Sequence, residues 1–167
     1  MKIHQKIINE VVDEKKCDPN VVCIFLFGSL ARNTATKDSD VDIELVCKTG
    51  KYSDKREIRY GVKVDIETWP LAKLLKRIEQ QPFLSYPYLE EKILYDPEGV
   101  GRLIQKELNV YFKDHSEVLA VWKKWTAKYL TEKKKCIKKT ESERLKETKE
   151  FYDLLEKRCA GKVSRKW

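Results

Sequence analysis

Asp40 and Asp42 stand two residues apart at the head of an alternating stretch, and Asp65 stands in a second one (VKVDIE). A β-strand repeats every two residues, so Asp40 and Asp42 face the same side and can reach one site. If the two stretches pair as neighbours, Asp65 joins them. Converging carboxylates repel one another and lose solvation, so they need a compensating charge. A hard cation with oxygen ligands supplies it, and Mg²⁺ (or Mn²⁺) does so while leaving positions for water and phosphate. The chemistry such a set can perform is in-line displacement at phosphorus between two metal ions. Glu67 shares the face of Asp65 and is the alternative third acid.

Gly28-Ser29 supplies the phosphate half of that chemistry. A glycine lets the backbone approach a ligand closely, free N–H groups at the following helix start favour an anion, and the Ser29 hydroxyl can donate to a phosphate oxygen. Arg32, a turn further on, can pair with phosphate or with a carboxylate of the site; an ordinary exposed helical arginine is the plain alternative.

Positioning these residues takes a small set of elements. Ile3, Ile7, Ile8, Val11 and Val12 recur at helical spacing and predict a helix over 2–16. The apolar run VVCIFLF at 21–27 reads as a strand buried on both faces, ending at Gly28-Ser29. VDIELVC at 41–47 and the alternation over 60–69 predict the second and third strands, separated by a turn and a polar stretch. Pro70 opens a helix carrying Leu71, Leu74, Leu75 and Ile78. A short strand at 93–95 precedes Asp96-Pro97, read as the cap and first position of a helix with Leu103, Ile104 and Leu108. The rest is helical. Asp114 with Glu117 and Thr140 with Glu143 have capping-box spacing; Val118, Trp122, Trp125 and Tyr129 form one stripe, and Leu145, Tyr152, Leu155 and Cys159 another.

The stretch from Phe27 through Gly28-Ser29-Leu30-Ala31-Arg32-Asn33 to Ser39-Asp40-Val41-Asp42 resembles the DNA polymerase β-type nucleotidyltransferases, in particular their minimal and aminoglycoside-modifying members. That superfamily carries Gly-Ser-x-Ala-Arg-Gly followed by Ser-Asp-x-Asp. Residues 2–108 follow its order, and Asn33 stands in place of the usual last glycine; asparagine tolerates the left-handed backbone such a turn requires. The resemblance implies an α+β fold: a small mixed sheet with helices on one face, and here a C-terminal helical extension. It implies that Gly28, Ser29 and Arg32 hold the nucleotide, that Asp40, Asp42 and Asp65 bind metal, and that Asp65 can take the proton of the attacking hydroxyl. The implied reaction moves a nucleoside monophosphate, AMP from ATP, to a hydroxyl on a protein, a small molecule or RNA. A non-catalytic nucleotide- or RNA-binding module of the same fold is the alternative.

Composition sets the bounds. At 167 residues the chain divides into a catalytic domain over 1–112 and a basic helical extension over 113–167. The formal net charge is +8, and the extension holds 17 basic against 9 acidic residues, leaving 18 of each in the first part. That charge makes an anionic partner plausible, although lysines at helix ends are usually solvated. No apolar run has membrane-spanning length, and the N-terminus lacks a signal-peptide core, so a cytoplasmic protein is expected. Five cysteines without CxxC spacing and two histidines argue against a zinc site. A homo-oligomer is compatible with the sequence.

Overall fold

The computed structural model describes residues 2–135 and 139–159, with the backbone alone at 133 and 134. Helix α1 (Lys2–Lys15) leads into strand β1 (Val21–Phe27) and the single helical turn α2 (Gly28–Ala31). Strands β2 (Val41–Cys47), β3 (Ser53–Arg59) and β4 (Val62–Pro70) follow, then α3 (Leu71–Gln80) and two short 3₁₀ turns at Pro82–Leu84 and Tyr86–Leu89. Strand β5 (Lys92–Tyr95) and helices α4 (Val100–Asp114), α5 (Ser116–Lys134) and α6 (Glu141–Cys159) complete the chain.

The five strands form one mixed sheet in the order β3-β4-β2-β1-β5. β2 and β4 run parallel; the other neighbours are antiparallel. The parallel pair sets Val41, Ile43 and Leu45 of β2 beside Val64, Ile66 and Thr68 of β4. Most of those apolar side chains join Ile7, Ile8 and Val11 of α1 in one core. Phe25, Cys23 and Val46 point to the opposite face, into a second core with Leu74, Ile78, Ile104, Leu108 and Phe112. The α+β class is as expected, but helices cover both faces of the sheet and not one as the resemblance implied: α1 packs on one face, and α3 and α4 on the other.

β3 lay in what the sequence presents as a polar stretch. SDKREIR is charged on both faces and lies mostly exposed at the sheet edge, so no apolar alternation announces it. The α4 start also differs from expectation. Asp96 precedes the helix by a Pro97-Glu98-Gly99 turn and caps it by accepting from the backbone N–H groups of Gly101 and Arg102, both at 3.1 Å. Asp114 closes α4 instead of opening α5. Thr140 and Glu143 do form the reciprocal box: Thr140 N–H donates to Glu143 at 2.8 Å, and Glu143 N–H to Thr140 Oγ1 at 3.3 Å.

The last two helices pack on the sheet domain through aromatic residues. Trp122 is buried, stacks on Tyr86 at 5.4 Å, and donates its indole N–H to the Phe83 carbonyl at 2.6 Å. Phe151, Leu155 and Cys159 are the buried face of α6, spaced by four residues; Leu145 is 65% exposed and Tyr152 also faces outward, against the stripe expected from the sequence. Of the cysteines, Cys23, Cys47 and Cys159 are buried free thiols and Cys17 is an exposed one, while Cys136 lies outside the described residues.

Candidate active site

The end of the sheet where β1 stops and β2 starts collects the residues singled out above. Phe27, the last residue of β1, is opposite Asp42, and Gly28-Ser29 turns away from the sheet at that point. Gly28 has φ +71, and a Cβ there would sit 2.0 Å from Asp42 Oδ2. Only glycine allows this backbone both its angle and its approach to the carboxylate. Ser29 is buried, and its carbonyl accepts from Thr34 N–H at 2.9 Å, folding the chain back.

Asn33 sits in the left-handed region at φ 56, as its place in the motif requires. Its side-chain oxygen accepts from Lys92 Nζ at 2.7 Å, so β5 pins the turn. On the other side, buried His4 of α1 donates through Nε2 to the Ser39 carbonyl at 2.9 Å, and Ser39 Oγ accepts from Thr36 N–H at 2.9 Å. The loop carrying Asp40 is therefore held from α1 and from within. Sequence reading missed His4 and Lys92, because tertiary hydrogen bonds leave no periodic trace.

The parallel register puts Asp42 directly beside Asp65 and Glu44 directly beside Glu67. Adjacent strands lie about 4.8 Å apart, so each pair forms a rung of carboxylates on one face. Asp40, one strand repeat before Asp42, lies at the mouth of this ladder. Asp65 Oδ1 is 3.6 Å from Arg56 Nε of β3, its cross-strand partner. Arg32 Nη1 is 3.7 Å from Glu90.

Deeper along the same face the environment dries. Glu44 is buried and accepts from the Tyr88 hydroxyl at 2.7 Å. Burial pushes its pKa up to about 7, against the Tyr88 hydrogen bond, with the Glu67 charge adding to the rise. Glu91 is held well above the usual carboxylate range by burial and by the charges of Glu44 and Glu67. Glu67 accepts from Trp69 Nε1 at 3.2 Å.

Asp40, Asp42 and Asp65 offer only hard carboxylate oxygens, and the missing Gly28 side chain leaves room at Asp42 Oδ2. As arranged, with Arg56 at Asp65, no three acidic, histidine or cysteine side chains among the described residues surround one point closely enough to hold an ion. The residue types and their face fit a divalent cation.

The family model described as Polymerase beta, Nucleotidyltransferase matches residues 5–96. A Methanocaldococcus jannaschii protein, provisionally named a protein adenylyltransferase, is 32% identical over 111 residues, covering 55% of this chain and 74% of its own. A nucleotidyltransferase-like protein of Exiguobacterium sibiricum superposes with TM-score 0.53 at 13% identity, over 64% of this chain. This chain spans 38% of that protein's length, so the likeness concerns the fold. A toxin–antitoxin structure with AMP-PNP overlaps at TM-score 0.37 and 18% identity, over 74% of this chain and 98% of its own, a likeness too slight to bear on function.

Proposed function

The chain belongs to the Polymerase beta nucleotidyltransferase family, and we propose that it transfers AMP from ATP to a hydroxyl acceptor at the Asp40, Asp42 and Asp65 site. The observation that carries this reading is the parallel register, with Asp42 beside Asp65 across from the Gly28 turn. The favoured acceptor is a protein side-chain hydroxyl, because the archaeal relative is named as a protein adenylyltransferase.

Gly28 brings backbone N–H groups near the carboxylates without a side chain in the way, and Ser29 offers a hydroxyl to the triphosphate. Mg²⁺ (or Mn²⁺) held by Asp40, Asp42 and Asp65 would screen the phosphate charge and favour the ionised acceptor oxygen when bound. The acceptor oxygen bonds to the α-phosphorus, the bond to the bridging oxygen breaks, and pyrophosphate leaves. Asp65 accepts the hydroxyl proton. Arg32, freed from Glu90, would reach the leaving phosphates; Arg56 keeps Asp65 ordered until the substrate arrives.

Incubation with each α-labelled NTP and Mg²⁺, alone and with total RNA or lysate, tests this reading. Label from ATP on a protein band, lost in Asp42→Asn, supports it. Label on RNA would move the acceptor class, and no label from any NTP would leave the non-catalytic binding module.

A further inference from the structure

Core packing alone does not account for His4. It lies on the buried face of α1 with Ile7, Ile8 and Val11, and only 1% of its surface is exposed. Its Nε2 is 2.9 Å from the Ser39 carbonyl oxygen. A carbonyl oxygen can only accept, so Nε2 is the nitrogen that carries the proton. The other ring nitrogen, Nδ1, is buried with no hydrogen-bond partner. A buried polar atom left unpaired is unfavourable, and an apolar side chain of similar volume would fill the same space without that penalty. What the ring adds over such a side chain is one donor, aimed at the residue before Asp40.

That donor acts on the backbone of Asp40. The Ser39 carbonyl and the Asp40 N–H belong to one planar trans peptide and point in opposite directions. Holding the carbonyl toward α1 therefore holds the Asp40 N–H away from α1 and fixes the peptide plane from which Asp40 departs. On the other side, Val41 is fully buried and registered beside Val64. Asp40 thus stands between two anchored points. Upstream, Ser39 N–H donates to the Thr36 carbonyl at 3.2 Å, and Thr36 N–H to Ser39 Oγ at 2.9 Å. This turn keeps its own shape but does not tie the loop to another element, whereas His4 ties it to α1. The support is firm, because Ile7 and Val11 of α1 are fully buried in the core under the sheet.

We infer that His4 is a positioning residue for Asp40, setting its carboxylate where it can meet a divalent cation together with Asp42. The inference rests on the proposed metal-dependent transfer at these carboxylates. His4 touches neither nucleotide nor cation in this role; it acts through the peptide between Ser39 and Asp40. Loss of a group that orients a metal ligand typically costs about 10- to 100-fold in metal affinity or activity. Glutamine can present an amide N–H close to the place of the imidazole Nε2–H, whereas leucine fills the space and donates nothing. The two substitutions therefore separate the hydrogen bond from the packing.

The chain has two histidines, so nitrogen NMR of the labelled imidazoles in the unaltered, metal-free protein resolves His4 from His115. It should show the Nε2–H tautomer of His4 with a slowly exchanging proton; an Nδ1–H tautomer overturns the inference. Calorimetry of ATP binding with and without Mg²⁺ then compares the unaltered chain with His4→Gln and His4→Leu, beside their melting curves. The Mg²⁺-dependent part of the affinity should fall by about 10- to 100-fold in His4→Leu and be largely retained in His4→Gln. Affinity for ATP without Mg²⁺ should be the same in all three. A folded His4→Leu with full Mg²⁺-dependent affinity overturns the role, and so do equal losses in both variants, since packing and not the donor would then matter. If His4→Leu does not fold, His4→Gln decides: retained Mg²⁺-dependent affinity supports the role, and its loss in a folded variant overturns it. ATP binding by the unaltered chain with no need of Mg²⁺ overturns the carboxylate site and this role together, whereas the other failures leave the site standing.

Discussion

Asp65 and Glu67 share one face of β4, yet they sit in different surroundings, and substitution separates them. Asp65 lies at the open end beside Asp42, where an acceptor proton can be taken; Glu67 is one repeat deeper, bonded to Trp69. Asp65→Asn is expected to lower turnover by about 10³-fold without unfolding the protein. Glu67→Gln should cost far less, and steady-state rates for both variants check the ranking. Gly28→Ala combines a strained φ with a Cβ that would meet Asp42 Oδ2 at 2.0 Å. It should abolish nucleotide affinity and lower the melting temperature, whereas an active, stable variant would mean the turn is not built as described. Glu44 carries a pH signature. In the folded chain its proton is held to about 7, against 4.5 for the ordinary group, so the folded state binds more protons between those values. Stability therefore falls as pH rises from about 4.5 to 7 and is level above, by on the order of 3 kcal/mol for this group alone. Denaturation of the metal-free protein at pH 5 and pH 8, beside Glu44→Gln, measures it; the variant should lose that part of the slope.

Elements differ in how much of themselves they wrote into the sequence. β1 and β2 begin and end as their apolar runs predict, since a buried strand needs continuous or alternating apolar residues. β3 left no such signal, because an edge strand exposed on both faces carries only charge: Lys55, Arg56 and Glu57 belong as well to a loop. The carboxylate pair was legible as types and spacing, but its register was not; that the rungs are Asp42 with Asp65 and Glu44 with Glu67 follows from the parallel pairing. Glu91 and Tyr88 were illegible for the same reason, being brought to the ladder by a 3₁₀ turn with no periodic pattern. The 1–112 and 113–167 division remains a proposal, and the Trp122 contacts with Phe83 and Tyr86 indicate how its two parts depend on each other. Truncation before Asp114 uncovers the surface around Phe83, Tyr86 and Phe112, and should lower the thermal midpoint by more than about 10 °C. A truncated chain that melts like the full one would contradict that dependence.

At the scale of the molecule the net charge of +8 lies beyond residue 112, and some of the basic residues there pair with acids already counted in that net. Lys139 lies 2.6 Å from Glu132 and 2.7 Å from Glu147, and Lys128 lies 3.2 Å from Glu147, tying α5 to α6. Lys138 lies outside the described residues, and only the backbone is described at Lys133 and Lys134. Packing by Trp122 against Phe83 and Tyr86 leads to an expectation of negligible RNA binding at physiological salt. A filter-binding salt titration showing tight binding with a steep slope would instead assign the extension to RNA. No helix among the described residues is long and apolar enough to cross a membrane. Transfer at this site depends on one set of carboxylates binding nucleotide through a divalent ion. Calorimetry of ATP binding with and without Mg²⁺, on the unaltered chain and on Asp40→Asn/Asp42→Asn, measures this most directly. Metal-dependent affinity in the first and its near-complete loss in the second is the predicted result; unchanged, metal-dependent affinity in a folded double variant would contradict the assignment.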